Sequence, residues 1–268
     1  MRATIKNKLP APLADLYRNV RDHVTVASEY PAARFHPWRV DSIHKLEKLY
    51  NCHQGERCVI IGNGPSLKQT DLSKLRGTFT FGMNRFYMAF PDLGFPTSVL
   101  LTVNDLVIEQ CASDLRQLSI PTFVSWRSRN KINPAPNLHY LYTSYILPRF
   151  NGDATGRLWE GATVTFVAMQ LAYFMGFKQV ILIGVDHNFT TQGKPNTTVV
   201  STGDDPNHFH PGYFGQGFRW QLPDLETSEI AYQLAKEAYR KDGREILDAT
   251  VGGKLTIFPK VNFDTLLA

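Results

Sequence analysis

The sequence is short of several things, and each shortage removes a class of protein. Its 268 residues hold three cysteines, Cys52, Cys58 and Cys111, an odd set without CxxC spacing. Neither a disulfide framework nor a cysteine-rich zinc site is implied, and simple packing is their expected role. No segment approaches the roughly 18 uninterrupted apolar residues of a membrane span, and there is no internal repeat or low-complexity tract. The first twenty residues carry charges and lack the apolar stretch and small-residue cleavage site of a secretory signal, so the expected location is cytoplasmic. G-x-x-x-x-G-K-[ST] does not occur, which removes a Walker loop.

What is present is an ordinary globular composition, 43% apolar and 20% charged, long enough for one extended domain. The net charge of +5 is unevenly spread: Arg116, Arg127, Arg129, Lys131 and Arg149 follow one another with no acid between them. Such a stretch suits a solvated surface, a phosphorylated substrate or the anionic face of a membrane. Nucleic acid is not expected, because no recognition module accompanies the stretch and aromatics do not alternate with its bases.

Along the chain, residues 1 to about 40 read as an irregular, partly helical arm interrupted by Pro10, Pro12, Pro31 and Pro37. A helix is expected through DSIHKLEKLYN, capped by Asp41 or Ser42, with Ile43, Leu46, Leu49 and Tyr50 as its apolar stripe. Strands are expected at CVIIG (58–62), TFTFGMN (78–84), TSVLLTV (97–103), PTFVSW (121–126) and KQVILIGVD (178–186), with helices at 106–118 and 161–177. The alternation predicts an α/β fold: a Rossmann-like, doubly wound, mostly parallel sheet with an N-terminal helical arm over residues 1–54 and a catalytic domain over 55–268. Residues 187–223 hold too many Gly, Pro, Asn and Thr for regular elements and read as a long lid loop. Beyond it, Asp224 caps a helix facing the core through Ile230, Leu234, Ala238 and Tyr239, and Gly243 ends it. REILDAT then reads as a strand and VNFDTLL as a terminal helix.

The apolar run at 58–61 breaks into Gly62, Asn63, Gly64, Pro65, Ser66 and Leu67. A dinucleotide fingerprint needs glycine at the last of these positions and an acid at the end of the second strand; here they are Leu67 and Asn84, so NAD is not expected. A glycine turn at a strand's carboxyl end still exposes N–H groups to phosphate, and Asn63 and Asn84 offer amide groups to ribose, base or phosphate. A tight turn requiring positive φ is the alternative. Asp186 at the end of ILIGVD either meets substrate or anchors the lid, and His187 is read as structural.

GNGPSL, DLSKL, the asparagine of GMNRFY, the run GATVTFVAMQLAYFMGFKQVILIGVD and NHFHPGYFG together resemble the plan of the bacterial sialyltransferases of glycosyltransferase family forty-two. They equally resemble the broader family named after 6-hydroxymethylpterin diphosphokinase. The likeness covers roughly residues 55 to 268. The sialyltransferase resemblance implies donor nucleotide contacts at Asn63, Gly64, Asn84 and Asn104, and at the helix-opening turn Gly161, Ala162 and Thr163. It also implies a catalytic base in the lid at His208, with His210 in reserve. The lid tyrosines of that family have no clean counterparts in HNFTTQGKPNTT, and the serine of its helix-opening turn falls near Val164. The implied partners are a nucleotide-sugar donor, CMP-linked in the favoured reading, and a glycan or lipid-linked acceptor. Peripheral contact at the inner membrane face and a homo-oligomer are further expectations.

No Asp-x-Asp occurs, so a metal-free mechanism without cofactor is expected, in which Tyr213, Arg219, Trp220 and the 127–131 basic cluster balance the leaving phosphate. The adjacent Asp204 and Asp205 read as an exposed turn. The rival reading is pyrophosphate transfer from ATP to a pterin alcohol, which needs Mg²⁺ held by Asp105, Asp186, Asp204 or Asp205. A third is a scaffold that keeps a nucleotide pocket without turnover.

Overall fold

The computed structural model describes residues 11–190, 193–203 and 205–266. In chain order the elements are α1 (Ala11–Phe35), α2 (Pro37–Glu47), β1 (Arg57–Ile61), β2 (Phe79–Met83), α3 (Phe90–Leu93), β3 (Val99–Thr102), α4 (Asp105–Gln117), β4 (Thr122–Ser125) and β5 (Leu138–Ser144). They continue as β6 (Arg157–Trp159), α5 (Val164–Phe174), β7 (Gln179–Ile183), β8 (Thr198–Val200), β9 (Arg219–Gln221), α6 (Leu225–Lys241), β10 (Glu245–Asp248) and α7 (Phe263–Leu266). Eight strands form one sheet in the order β10-β7-β1-β2-β3-β4-β5-β6, and every pairing in it is parallel.

Successive strand residues face opposite sides, and the core divides accordingly. Cys58, Ile60, Phe81, Leu101, Leu182 and Ile246 pack against α5 and α6. Val59, Ile61, Leu100, Val124, Tyr142 and Ile183 pack on the other face with residues of α4. The result is the expected α/β Rossmann-like architecture of a parallel sheet with helices on both faces. Strand order reverses at β1, which lies between β2 and β7, and the carboxyl ends of the strands at such a reversal are the usual place for a ligand in open parallel sheets.

The arm departs from expectation. Residues 11–35 form one 25-residue helix with Pro31 inside it; Pro10 lies outside the described residues. A proline this close to the carboxyl end removes one backbone bond without stopping the element. The following helix begins at Pro37, with His36 as its cap, its Nδ1 accepting from the Trp38 N–H; Asp41 and Ser42 lie inside it. Ile43 and Leu46 are buried as expected, whereas Tyr50 is exposed. In α6 the Asp224 cap stands, accepting from the Thr227 N–H at 3.0 Å. Its buried face is Ser228, Ala231, Tyr232, Ala235 and Tyr239, while Ile230 points to solvent. β5 and β6 were not expected at all. The 187–223 segment carries the antiparallel pair β8–β9 and an aromatic cluster in which Phe214 stacks on Phe218 and Trp220 at 4.9 and 5.4 Å. Among the described residues no helix is long and apolar enough to cross a membrane.

Candidate functional site

The β1 turn is built against the β7 turn. A Cβ on Gly62 would stand 2.1 Å from the Gly184 carbonyl oxygen, and one on Gly64 would stand 1.7 Å from Asp186 Oδ2. Both glycines are therefore needed for chain to approach chain. Gly64 has φ −69°, so the turn does not use the positive φ offered as the alternative reading. The Gly62 and Gly64 N–H groups donate to Ile183 O at 2.7 Å and Gly184 O at 2.9 Å. Ser66 donates its N–H to Asp186 Oδ1 at 3.1 Å and its hydroxyl to Oδ2 at 2.7 Å. Asp186 thus clasps the β1 turn rather than the lid. Burial raises its pKa while the Ser66 bonds oppose the rise. Since Pro65 has no N–H, Asn63 is the turn residue whose N–H donates to no protein group among the described residues.

Asn63 carries the strongest sign of a missing partner, because its Oδ1 is buried and accepts no hydrogen bond. Buried polar atoms in folded proteins are nearly always paired. β1 and β2 run parallel with Ile61 opposite Gly82, so Asn63 and Asn84 each lie two residues beyond the last paired position. Asn84 holds the left-handed conformation at φ 52°, a geometry asparagine tolerates better than most residues. Its Oδ1 accepts from Thr102 Oγ1 at 3.1 Å.

The lid lies on these two turns. Phe209 donates its N–H to Asn63 O at 2.9 Å and packs on Phe86 at 5.5 Å. Arg85, next to Asn84, donates its N–H to the Tyr213 hydroxyl at 3.3 Å and its guanidinium to the Tyr213 carbonyl. One residue before Phe209 stands His208, whose Nδ1 is 2.8 Å from both carboxylate oxygens of Asp205. Its ring stacks on Tyr213 at 4.1 Å with 7° between planes. A carboxylate on Nδ1 holds the proton there, so that Nε2 carries the lone pair. Base, orienting carboxylate and packed ring form the arrangement by which an imidazole is made ready to take a proton from a hydroxyl. Asp205 is not the exposed turn residue expected: its side chain is 5% exposed. Asp204 lies outside the described residues. His210 Nδ1 accepts from the Gly212 N–H at 3.0 Å, a local turn bond with no carboxylate behind it.

The other expected residues have structural partners. Asn104 caps α4, its Oδ1 accepting from the Leu106 and Val107 N–H groups at 2.9 and 3.2 Å, and its Nδ2 reaches Gln221 at 3.3 Å. Gly161 and Ala162 both have positive φ, 56° and 57°, and a Cβ on Gly161 would meet Ala231 Cβ at 2.3 Å. Thr163 caps α5 and reaches the Tyr232 hydroxyl at 3.3 Å. Tyr213 is 1% exposed, a buried wall of the lid. Arg219 pairs with Glu109 at 2.8 Å. His187 pairs with Glu229 at 2.9 Å.

Composition alone hid one cluster. Arg127 is no surface base: it bridges Asp105 at 2.9 Å and buried Glu160 at 2.6 Å and lies 3.9 Å over the Tyr145 ring. Thr143 also donates to Glu160, at 2.6 Å, and Ser128 donates to Asp105. Burial alone would lower the Arg127 pKa, yet Glu160 and its neighbours raise it overall. Lys131 pairs with Glu109 at 2.8 Å, so two bases of the acid-free stretch, Arg127 and Lys131, are paired with acids distant in sequence.

Three of the four carboxylates that the diphosphokinase reading offers as Mg²⁺ ligands already have protein partners, and the fourth, Asp204, lies outside the described residues. Asp105 is engaged by Arg127 and Ser128, Asp186 by Ser66, and Asp205 by His208. Among the described residues no three His, Cys, Asp or Glu side chains converge as a metal site would require.

Comparison with known proteins adds three findings. The model of a family described as "6-hydroxymethylpterin diphosphokinase MptE-like" matches residues 38–192. A solved structure, the MAf glycosyltransferase from Magnetospirillum magneticum AMB-1, is similar at 14% identity and a TM-score of 0.48, over 82% of this chain and 38% of that one. No curated protein matches.

Proposed function

Because the chain belongs to the 6-hydroxymethylpterin diphosphokinase MptE-like family, whose model spans more than half of it, we propose that it is a nucleotide-dependent transferase acting on an acceptor hydroxyl. The favoured reaction is glycosyl transfer from a CMP-linked sugar to a glycan or lipid-linked acceptor. The observation that carries this reading is the His208–Asp205 pair on the segment that bonds through Phe209 N–H to the Asn63 carbonyl, together with the buried Asn63 side-chain oxygen, which has no protein partner among the described residues.

In this scheme Asn63 and Asn84 hold the nucleotide at the carboxyl ends of β1 and β2. Asn63 Oδ1 needs a donor, such as a ribose hydroxyl or the exocyclic amine of cytosine. His208 Nε2 takes the proton of the acceptor hydroxyl as its oxygen bonds to the anomeric carbon. The bond from that carbon to the phosphate oxygen breaks, and the nucleoside monophosphate leaves with the electron pair. Arg85, adjacent in sequence to Asn84, supplies positive charge on the leaving side. Metal independence belongs to the proposal, and its support is that Asp105, Asp186 and Asp205 are already engaged by protein donors.

The same base would serve an alcohol attacking ATP, so the nucleotide decides between the readings. We expect CMP to raise the melting temperature and ATP to have no effect; saturation at about 100 times Kd corresponds to about 2.7 kcal/mol. Stabilisation by ATP with Mg²⁺ and none by CMP would favour diphosphokinase chemistry. No response to any nucleotide would overturn both.

A further inference from the structure

A cavity of about 780 Å³ lies between α1, α2 and the connection from β5 to β6. Ligand pockets span roughly 300–1,000 Å³, so this is room for a small molecule. None of the residues around the β1 turn lines it, and β5 and β6 stand at the opposite end of the strand order from β7 and β10.

Arg34, Arg149 and Arg157 line the cavity beside Tyr142. Arg157 donates to Ile146 O at 2.7 Å and Arg149 to Arg157 O at 3.0 Å, carbonyls that leave the charges unbalanced. Arg39, 0% exposed, donates Nη2 to the carbonyl of the lining residue Thr155 at 2.6 Å. Among the described residues its Nε and Nη1 have no partner, and neither does the buried Tyr142 hydroxyl.

Among the described residues none of these four arginines makes an ion pair, although Glu47 and Asp153 line the same cavity. Asp153 is engaged instead by the Thr155 N–H and hydroxyl at 2.8 and 2.7 Å. Burial, then Arg34, push the Arg39 pKa down to about 10, and burial with Arg149 lowers that of Arg157, while Asp153 and Glu29 act more weakly in the opposite direction. Arg39 and Arg157 are guanidinium groups held out of water without an anion, which is costly, while Arg34 and Arg149 are exposed at the cavity; the planar fork of a guanidinium matches phosphate oxygens.

We propose that this cavity is a second ligand site, which binds a phosphate or diphosphate ester through Arg34, Arg149 and Arg157 with the Tyr142 hydroxyl as an added donor. Two sources share that chemistry. A soluble phosphorylated molecule is one; a lipid phosphate is the other, since α1 also exposes Leu13, Leu16, Tyr17, Val20 and Val24.

The test is calorimetric titration of the full chain with inorganic pyrophosphate, paired with flotation on phosphatidylcholine vesicles with and without phosphatidic acid. The variants are Arg34→Gln/Arg149→Gln, both exposed positions, and Asn63→Ala as the control for the nucleotide turn. A soluble ligand predicts pyrophosphate affinity reduced about tenfold or more in the double variant and unchanged in Asn63→Ala. A lipid phosphate predicts loss of phosphatidic-acid-dependent flotation in the double variant alone. If the double variant matches the wild type in both assays, or only Asn63→Ala weakens pyrophosphate, the site is not there.

Discussion

At the scale of single residues, the proposed function assigns chemistry to His208 and binding to Asn63. His208→Ala should lower kcat by about two to four orders of magnitude with donor KM nearly unchanged, because the base acts on the acceptor. Asp205→Asn should also lower kcat, since an amide cannot hold the Nδ1 proton as a carboxylate does, and His210→Ala should change it little. Asn63→Ala should instead weaken nucleotide binding while the lid stays docked, because the lid bonds to the Asn63 main-chain carbonyl. Steady-state kinetics and nucleotide titration check both. A third residue governs acid stability. His139 on β5 packs on Phe123 at 5.0 Å, its Nδ1 is buried without a partner, and burial followed by Lys45 lowers its pKa to about 4 against the opposing pull of Asp41. An unfolded histidine titrates near ~6.5, so this group's contribution is intact above that pH and is lost as pH falls toward 4. The loss is at most on the order of 3 kcal/mol. Denaturant unfolding of His139→Phe should show a shallower fall in stability between those pH values than the wild type.

At the scale of elements, the β1 and β7 turns act as one unit. Gly64→Val would drive a side chain into Asp186 and break the Ser66 clasp, so melting should fall by the equivalent of about 1–3 kcal/mol of overpacking. A variant that melts like the wild type yet loses nucleotide would show that Gly64 meets ligand rather than the neighbouring turn. These elements differ in how plainly the sequence announces them. Strands buried on both faces read as continuous apolar runs, which is why CVII, VLLT and QVILI were legible. β5 mixes His139, Thr143 and Ser144 into its apolar residues, and β6 has three residues, too few to show a period. Pro31 concealed the end of α1, because a proline that costs one backbone bond and one that breaks a helix look alike in sequence. Pro37, at the first helical position, was the available signal for the start of α2.

At the scale of the whole molecule, a parallel sheet brings strand ends together that are distant in sequence. The asparagines and the lid histidine could be picked out by motif and by resemblance. Their partners could not: Asp205 opposite His208 depends on how the lid folds, and Arg127 meets Glu160 because β4, β5 and β6 are successive neighbours. The same assembly brings the segment carrying His208 onto the β1 turn through Phe209 and onto Arg85 through Tyr213. The decisive measurement for the proposed chemistry is release of CMP from a CMP-linked sugar, in EDTA, by the wild-type chain and by His208→Ala. Turnover should survive the chelator and fall at least a hundredfold (~10²) in the variant. Turnover that vanishes with EDTA, or that proceeds equally well without His208, would contradict that chemistry.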